Sequence, residues 1–177
     1  MLSYNWGHQE QIKRINTSLK NRGYNVWIDI EKMQGSTVEV MSAAVEDAAV
    51  MCYGISQAYK ESTNCRLEAQ YAHQQQKEMV PLMLEEGYRP NGWLGMLLGT
   101  SMWYSFCGAV VSNVAGFESR KEELCRSLGN RGRRPTVNVT PSTTPAVDDD
   151  GFLLPSLVKY GEGARTTVLE KSLESAS

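Results

Sequence analysis

Residues 48–55, Ala-Ala-Val-Met-Cys-Tyr-Gly-Ile, form an almost uninterrupted apolar run. A strand with one face in water alternates apolar with polar residues, so this run predicts a strand covered by helices on both faces. Its flanks agree. Ahead of it, Ser36-Thr-Val-Glu39 reads as a capping box, in which the Ser hydroxyl and the Glu carboxylate each satisfy a helix-end amide. Met41, Ala44, Val45 and Ala48 then share one helical face. Behind the run, residues 56–64 read as a polar loop, after which Ser62 or Asn64 can cap a helix carrying Glu68 in its first turns. Leu67 and Tyr71 would be that helix's core pair. This order puts Glu68 beside the strand's carboxyl end, the edge at which open α/β sheets bind ligands.

The rest of the chain repeats the alternation. Met1-Leu-Ser-Tyr4 reads as a first strand, brief as a truncated one would be. Ile12, Ile15 and Leu19 recur at helical spacing between His8 and Arg22, and Gly23 stands where a left-handed helix terminator belongs. Residues 24–30 are rich in β-branched and aromatic side chains and predict a strand that ends near Asp29. A further strand is expected over residues 79–84, where Pro81 forfeits a ladder bond and predicts a place near the sheet edge or a bulge. Residues 92–117 carry no charge, but Gly, Ser, Thr and Asn interrupt them throughout, unlike a span of about 20 mainly apolar residues. A short helix over 93–98 and a last strand over 102–106 are the expectation, followed by a helix over 117–128 that Gly129 stops. The sum is an α/β fold with a doubly wound, parallel, five-stranded sheet and helices on both faces. Residues 1–129 make up the domain, and the Pro-, Thr- and Asp-rich residues 130–177 predict a disordered or weakly structured tail.

A net charge of −2 gives no reason to expect nucleic acid or an anionic membrane as partner. The four cysteines form no CxxC pair and follow no signal peptide, which predicts reduced thiols in a cytoplasmic protein. On the same ground, the sequons at Asn16 and Asn138 read as chance matches. The two histidines lie outside HExxH, so no metal is expected. A GxSxG elbow, a GxxxxGK[ST] loop and a GxGxxG after the first strand are all missing, which leaves serine hydrolases, P-loop enzymes and Rossmann dehydrogenases without support. Glu68 itself has a plain explanation as a surface carboxylate favoured by the positive end of its helix. It does not belong to a capping box, because the residue three before it is Cys65.

Leu2-Ser-Tyr4, Val26-Trp-Ile-Asp-Ile-Glu-Lys-Met33 with Gly35, Ser56-x-x-Tyr59-x-x-Ser62-x-x-Cys65-Arg-x-Glu68-Ala69, and Val80-Pro-Leu-Met83 together resemble a Toll/interleukin-1 receptor (TIR) domain. The resemblance covers about residues 1–106 and is strongest from Cys65 to Glu68. It implies a flavodoxin-like fold. It also implies, for a catalytic subset of the family, cleavage of NAD+ at the nicotinamide glycosidic bond by one glutamate on the third helix, whose position Glu68 matches. By the same resemblance Ser3, Tyr4, Asp29, Lys32, Gly35, Ser36 and Cys65 would border NAD, which is the substrate, with no cofactor required. Tyr4 could equally plug the core edge, Ser36 is better explained as a helix cap, and Cys65 could be a small apolar filler. Trp27 and Trp93 read as packing aromatics or as pocket walls. Where many catalytic members carry Trp, four residues before the glutamate, this chain has Asn64.

A single carboxylate suffices for that chemistry. Glycoside hydrolysis ordinarily needs a proton donor for the leaving oxygen as well as a carboxylate for the sugar's developing charge. Nicotinamide leaves from a pyridinium that already carries positive charge, so only the second role remains. The expected partners are NAD+ and other TIR domains, including copies of this chain, with self-association as the activating step in signalling. The alternative is a TIR interaction module that scaffolds through the loop around Gly35 without chemistry. A third, weaker reading is an unrelated flavodoxin-like domain; against a phosphorelay receiver, Ser3 and Ser56 stand where it needs acidic residues.

Overall fold

Four parallel strands lie in the order β1 (Leu2–Ser3), β2 (Val50–Ile55), β3 (Glu78–Met83), β4 (Tyr104–Ser105) in a computed structural model that describes residues 1–28 and 38–134. All described residues belong to one compact unit, Met1–Thr136. Asp29, Lys32, Gly35, Ser36 with its capping box, and residues 135–177 of the expected tail lie outside the described residues.

The expected strand over 24–30 is reduced among the described residues to bridges. Ile28 bridges Leu2 in parallel, the Leu2 amide donates to the Trp27 carbonyl at 2.9 Å, and Tyr24 bridges Arg133. Residues 27–28 therefore flank β1 on the side away from β2. Counting them as the fifth member gives the order 2-1-3-4-5, which is the flavodoxin arrangement.

Every residue of β2 is buried, as its apolar run predicts. Val50 and Cys52 face a core built from Ile12, Ile15 and Leu19 of α1 (Gln9–Asn21) and Leu124 and Leu128 of α7 (Val114–Leu128). Met51 faces Val45 of α2 (Val38–Asp47) and Ala72 of α4 (Thr63–Gln74). Tyr53 and Ile55 pack with Cys65 and Ala69 of α4 and Leu94 and Leu98 of α5 (Gly92–Leu98). Each such fully buried aliphatic side chain contributes about 1.5–3 kcal/mol. Gly54 is required by close approach: a Cβ there would lie 2.5 Å from Leu84 Cδ1.

Helix ends follow local chemistry. Tyr24 anchors α7, its hydroxyl lying 2.7 Å from the Gly129 carbonyl and 3.1 Å from that of Cys125. Gly129 ends the helix at φ 57°, where a side chain would be strained. Residues 23–25 also bond to the chain beyond α7, through Asn25 to Gly132 at 2.7 Å and Arg134 to Gly23 at 3.0 Å.

Three expectations need correction. Residues 56–64 are not a loop: Ser56 caps a short helix, α3 (Gln57–Glu61), and Ser62, not Asn64, caps α4. Ser and Thr hydroxyls cap helices as readily as they form turns, so polarity alone did not separate the two. Leu67 is 51% exposed, and α4 packs through Cys65, Ala69 and Ala72 instead. Two positions from both Cys65 and Ala69, at about 100° per residue, Leu67 lies on the opposite side of α4. The last strand shrinks to Tyr104–Ser105, and a helical turn, α6 (Ala109–Ser112), precedes α7.

Pro81 lies in β3 with β2 on one side, paired to Tyr53. Leu84 donates to Ile55 at 3.0 Å, so by strand alternation the amide position of Pro81 faces the other way, toward β4. There β4 begins only opposite Leu82, and no ladder bond is lost. Among the described residues, no helix is long and apolar enough to cross a membrane.

Candidate functional site

The chain reverses its direction of travel across the sheet between β1 and β2, and the crevice at their carboxyl ends is where such sheets bind ligands. Ser3 ends β1, and Ser56 follows β2 directly and starts α3. Ser56 Oγ accepts the Tyr59 amide at 3.1 Å, a cap contributing about 1 kcal/mol that fixes the first turn of α3. Helix α4 then starts at its Ser62 cap, and one turn inside it Glu68 reaches back to β1.

Glu68 is half-buried, and its Oε2 accepts the Ser3 hydroxyl at 2.5 Å. Ser3 is 2% exposed, and its oxygen lies 2.9 Å from the hydroxyl of Tyr59, which is fully buried. A serine hydroxyl has one hydrogen, and a carboxylate can only accept. With that hydrogen committed to Glu68, Tyr59 must donate to Ser3. The array therefore runs in one direction, from the phenol through the serine to the carboxylate.

Tyr59 can fill that role only as a neutral phenol. Burial pushes its pKa well above the ordinary value, and the negative charge of Glu68 adds to the effect. Cys65, one turn before Glu68, is 6% exposed, and burial pushes its thiol up to about 11, with Glu68 adding to the shift against the opposing hydrogen bond from Ser62. Near neutral pH it is a protonated filler rather than a nucleophile.

Trp93 flanks the array from α5. Its ring centroid lies 6.2 Å from that of Tyr59, Arg66 lies 5.7 Å over it, and its indole N–H donates to the Lys60 carbonyl at 3.0 Å. Tyr4 is buried in the core with Leu84 and Phe106, which supports the reading of it as a core plug. Trp27 lies at the other end of the sheet, on a cavity of about 560 Å3 shared with Met1, Val50 and Arg131. Thus Ser3, Tyr59, Cys65 and Glu68 come together, Trp93 stands beside them, and Trp27 does not. The sequence reading gave Tyr59 no role, although it is the one aromatic between residues 56 and 70. Among the described residues, no group of His, Cys, Asp or Glu could hold a metal ion.

Comparison with known proteins bears on the same residues. A family model described as TIR domain matches residues 1–120. Among solved structures, the chain is similar to the TIR domain of the Toll-related receptor TRR-2 from the lower metazoan Hydra magnipapillata, with a TM-score of 0.55 and 16% sequence identity over 72% of this chain and 94% of that one. No curated protein matches it. Identity that low carries the fold and no activity. The family match takes in all four strands and the whole Ser3, Tyr59 and Glu68 array, and the chain belongs to the TIR domain family.

Proposed function

We propose that the chain is a TIR-domain NAD+ glycohydrolase with Glu68 as its catalytic carboxylate. The observation that supports this most directly is the placement of Glu68 at the switch point of the sheet with a buried serine donating to it at 2.5 Å. In the reaction, the bond between C1′ of the ribose and the pyridinium nitrogen breaks, and its electron pair leaves with nicotinamide and neutralises the ring. Glu68 stabilises the positive charge left on the ribose or traps it covalently. Water adds at C1′ and loses a proton to give ADP-ribose, or a nucleophile within the same molecule closes a cyclic product. No acid is needed for the leaving group, and none of the neighbours of Glu68 has to act as one. NAD+ is the substrate, no cofactor takes part, and self-association raises turnover in a signalling role.

The test is nicotinamide release from NAD+ by purified protein over a range of concentrations. Glu68→Ala is expected to lower turnover on the order of 100-fold or more while the unfolding transition persists. Equal turnover in that variant would refute the assignment.

A second reading, a TIR interaction module without chemistry, is favoured by the apolar exposure beside β4, where Met102 is 84% and Trp103 48% exposed. It expects association that is lost in Gly35→Pro, together with no NAD+ consumption at any protein concentration.

A further inference from the structure

We propose that Tyr59 is a positioning residue for Glu68, acting through Ser3 to fix the orientation and the ionised state of the carboxylate. This inference rests on the reading of Glu68 as the NAD-cleaving group. Its warrant is the direction of the array: the phenol donates to the serine oxygen at 2.9 Å, and the serine donates onward at 2.5 Å. A hydroxyl that accepts one hydrogen bond donates a stronger one, so the phenol polarises the bond that Glu68 receives. Donation to the charged form of an acid favours that form. A carboxylate held ionised, with one oxygen tethered, suits a group that must meet positive charge developing on a sugar.

The frame around the phenol is rigid. The Tyr59 ring packs between Tyr53 and Trp93, with centroids at 6.3 and 6.2 Å. Its backbone amide is held by Ser56, and the start of α3 is tied to the chain after β3 by the Gln57 amide donating to Glu85 Oε2 at 2.7 Å. Ser3 is fixed in β1 by its pairing with Tyr53. Both links therefore belong to the packed core, and the array ends at a side chain that is only half-buried. A site built in this way transmits the rigidity of the sheet to the reacting group.

Other charges around the array are engaged elsewhere. Lys60 on α3 donates to Asn91, Glu61 accepts from Gln57, and Arg66 on α4 lies over the Trp93 ring. Among the described residues, the titratable groups coupled to the array include Cys65 on α4 and Tyr53 on β2, and burial pushes the pKa of each above its ordinary value, to about 11 and about 12. Both stay neutral through the range in which a glutamate titrates, so a change in the titration of Glu68 reports on the hydrogen-bonded array.

The experiment uses the full chain and the variant Tyr59→Phe, which removes one oxygen and keeps the ring. Two readouts are taken. The first is the pH profile of nicotinamide release with kcat and KM separated, and the second is the titration of Glu68 followed by NMR of carboxyl-labelled glutamate, with Glu68→Gln giving the assignment. Loss of the phenol is expected to lower kcat roughly tenfold, leave KM within about twofold, and move both the acid limb and the Glu68 titration upward by about half to one pH unit. Ser3→Ala breaks the same array one link later and carries the test if Tyr59→Phe folds poorly. Its expected shift is as large or larger. An unchanged Glu68 titration in both variants overturns the positioning role, whatever happens to turnover. If wild-type protein releases no nicotinamide, the NAD-cleaving reading fails, and the titration alone still decides whether Tyr59 controls Glu68.

Discussion

Gly54→Ala tests the packing that holds the two ends of the candidate site in register. The added Cβ would lie 2.5 Å from Leu84 Cδ1 and 3.3 Å from Tyr4 Cβ. Carbon atoms prefer a separation of about 3.5–4.0 Å, so the leucine methyl must retreat by roughly 1 Å or more. Leu84 is 1% exposed and Tyr4 6%, which leaves little room for that movement. Overpacking of this kind costs about 1–3 kcal/mol, and the entropy gained on replacing Gly in a strand returns about 0.5–1 kcal/mol. The net loss is therefore expected at about 1–2 kcal/mol, read from urea unfolding as a lower midpoint with an unchanged slope. A second variant isolates the cause. Leu84→Ala alone should cost about 2–5 kcal/mol through the cavity it opens, and the methyl of Gly54→Ala would fill part of that cavity. The double variant should then be more stable than the sum of the single losses by at least about 1 kcal/mol. A neutral or stabilising Gly54→Ala, or strict additivity in the double variant, would refute the argument.

Other expectations follow from single contacts. Tyr24→Phe removes the hydroxyl beside the Gly129 and Cys125 carbonyls and should cost about 1 kcal/mol, seen as a lower thermal midpoint and faster amide exchange in the last turn of α7. Stability should fall at alkaline pH: burial raises Cys52 and Cys65 from 9.0 to about 11 in the fold. Between those values the unfolded chain gives up the protons that the folded chain retains, so the loss sets in above pH 9 and grows through pH 11. Urea midpoints measured from pH 8 to 11 check this, and replacing both thiols with Ala should flatten the slope.

The fold was legible wherever burial leaves a periodic mark. The apolar residues 48–55 gave β2, and the spacing of Ile12, Ile15 and Leu19 gave the inner face of α1, because both elements are covered by neighbours. Residues 56–62 were misread because a hydroxyl that caps a helix and one that forms a turn look alike until the amide it accepts is known. Leu67 misled because α4 packs through Cys65, Ala69 and Ala72, small residues that a search for large apolar side chains passes over. At the site, local order placed Glu68 near a strand end. The hydroxyl that reaches it belongs to Ser3, 65 positions earlier in the chain, which in turn meets Tyr59, and no local pattern encodes that meeting. Nothing local marks Tyr59 for its role: its ring packs in the core as that of Tyr53 does, and it is the hydroxyl that meets Ser3.

The proline in β3 also bears on whether another strand can add to the sheet. The lower half of β3, from Glu78 to Pro81, has no β4 beside it, and an unpaired length of strand is ordinarily a template on which another chain can crystallise. At its carboxyl end that template offers the Pro81 ring carbon where an incoming strand would look for a donor. Strand addition is thereby opposed along this open length of β3.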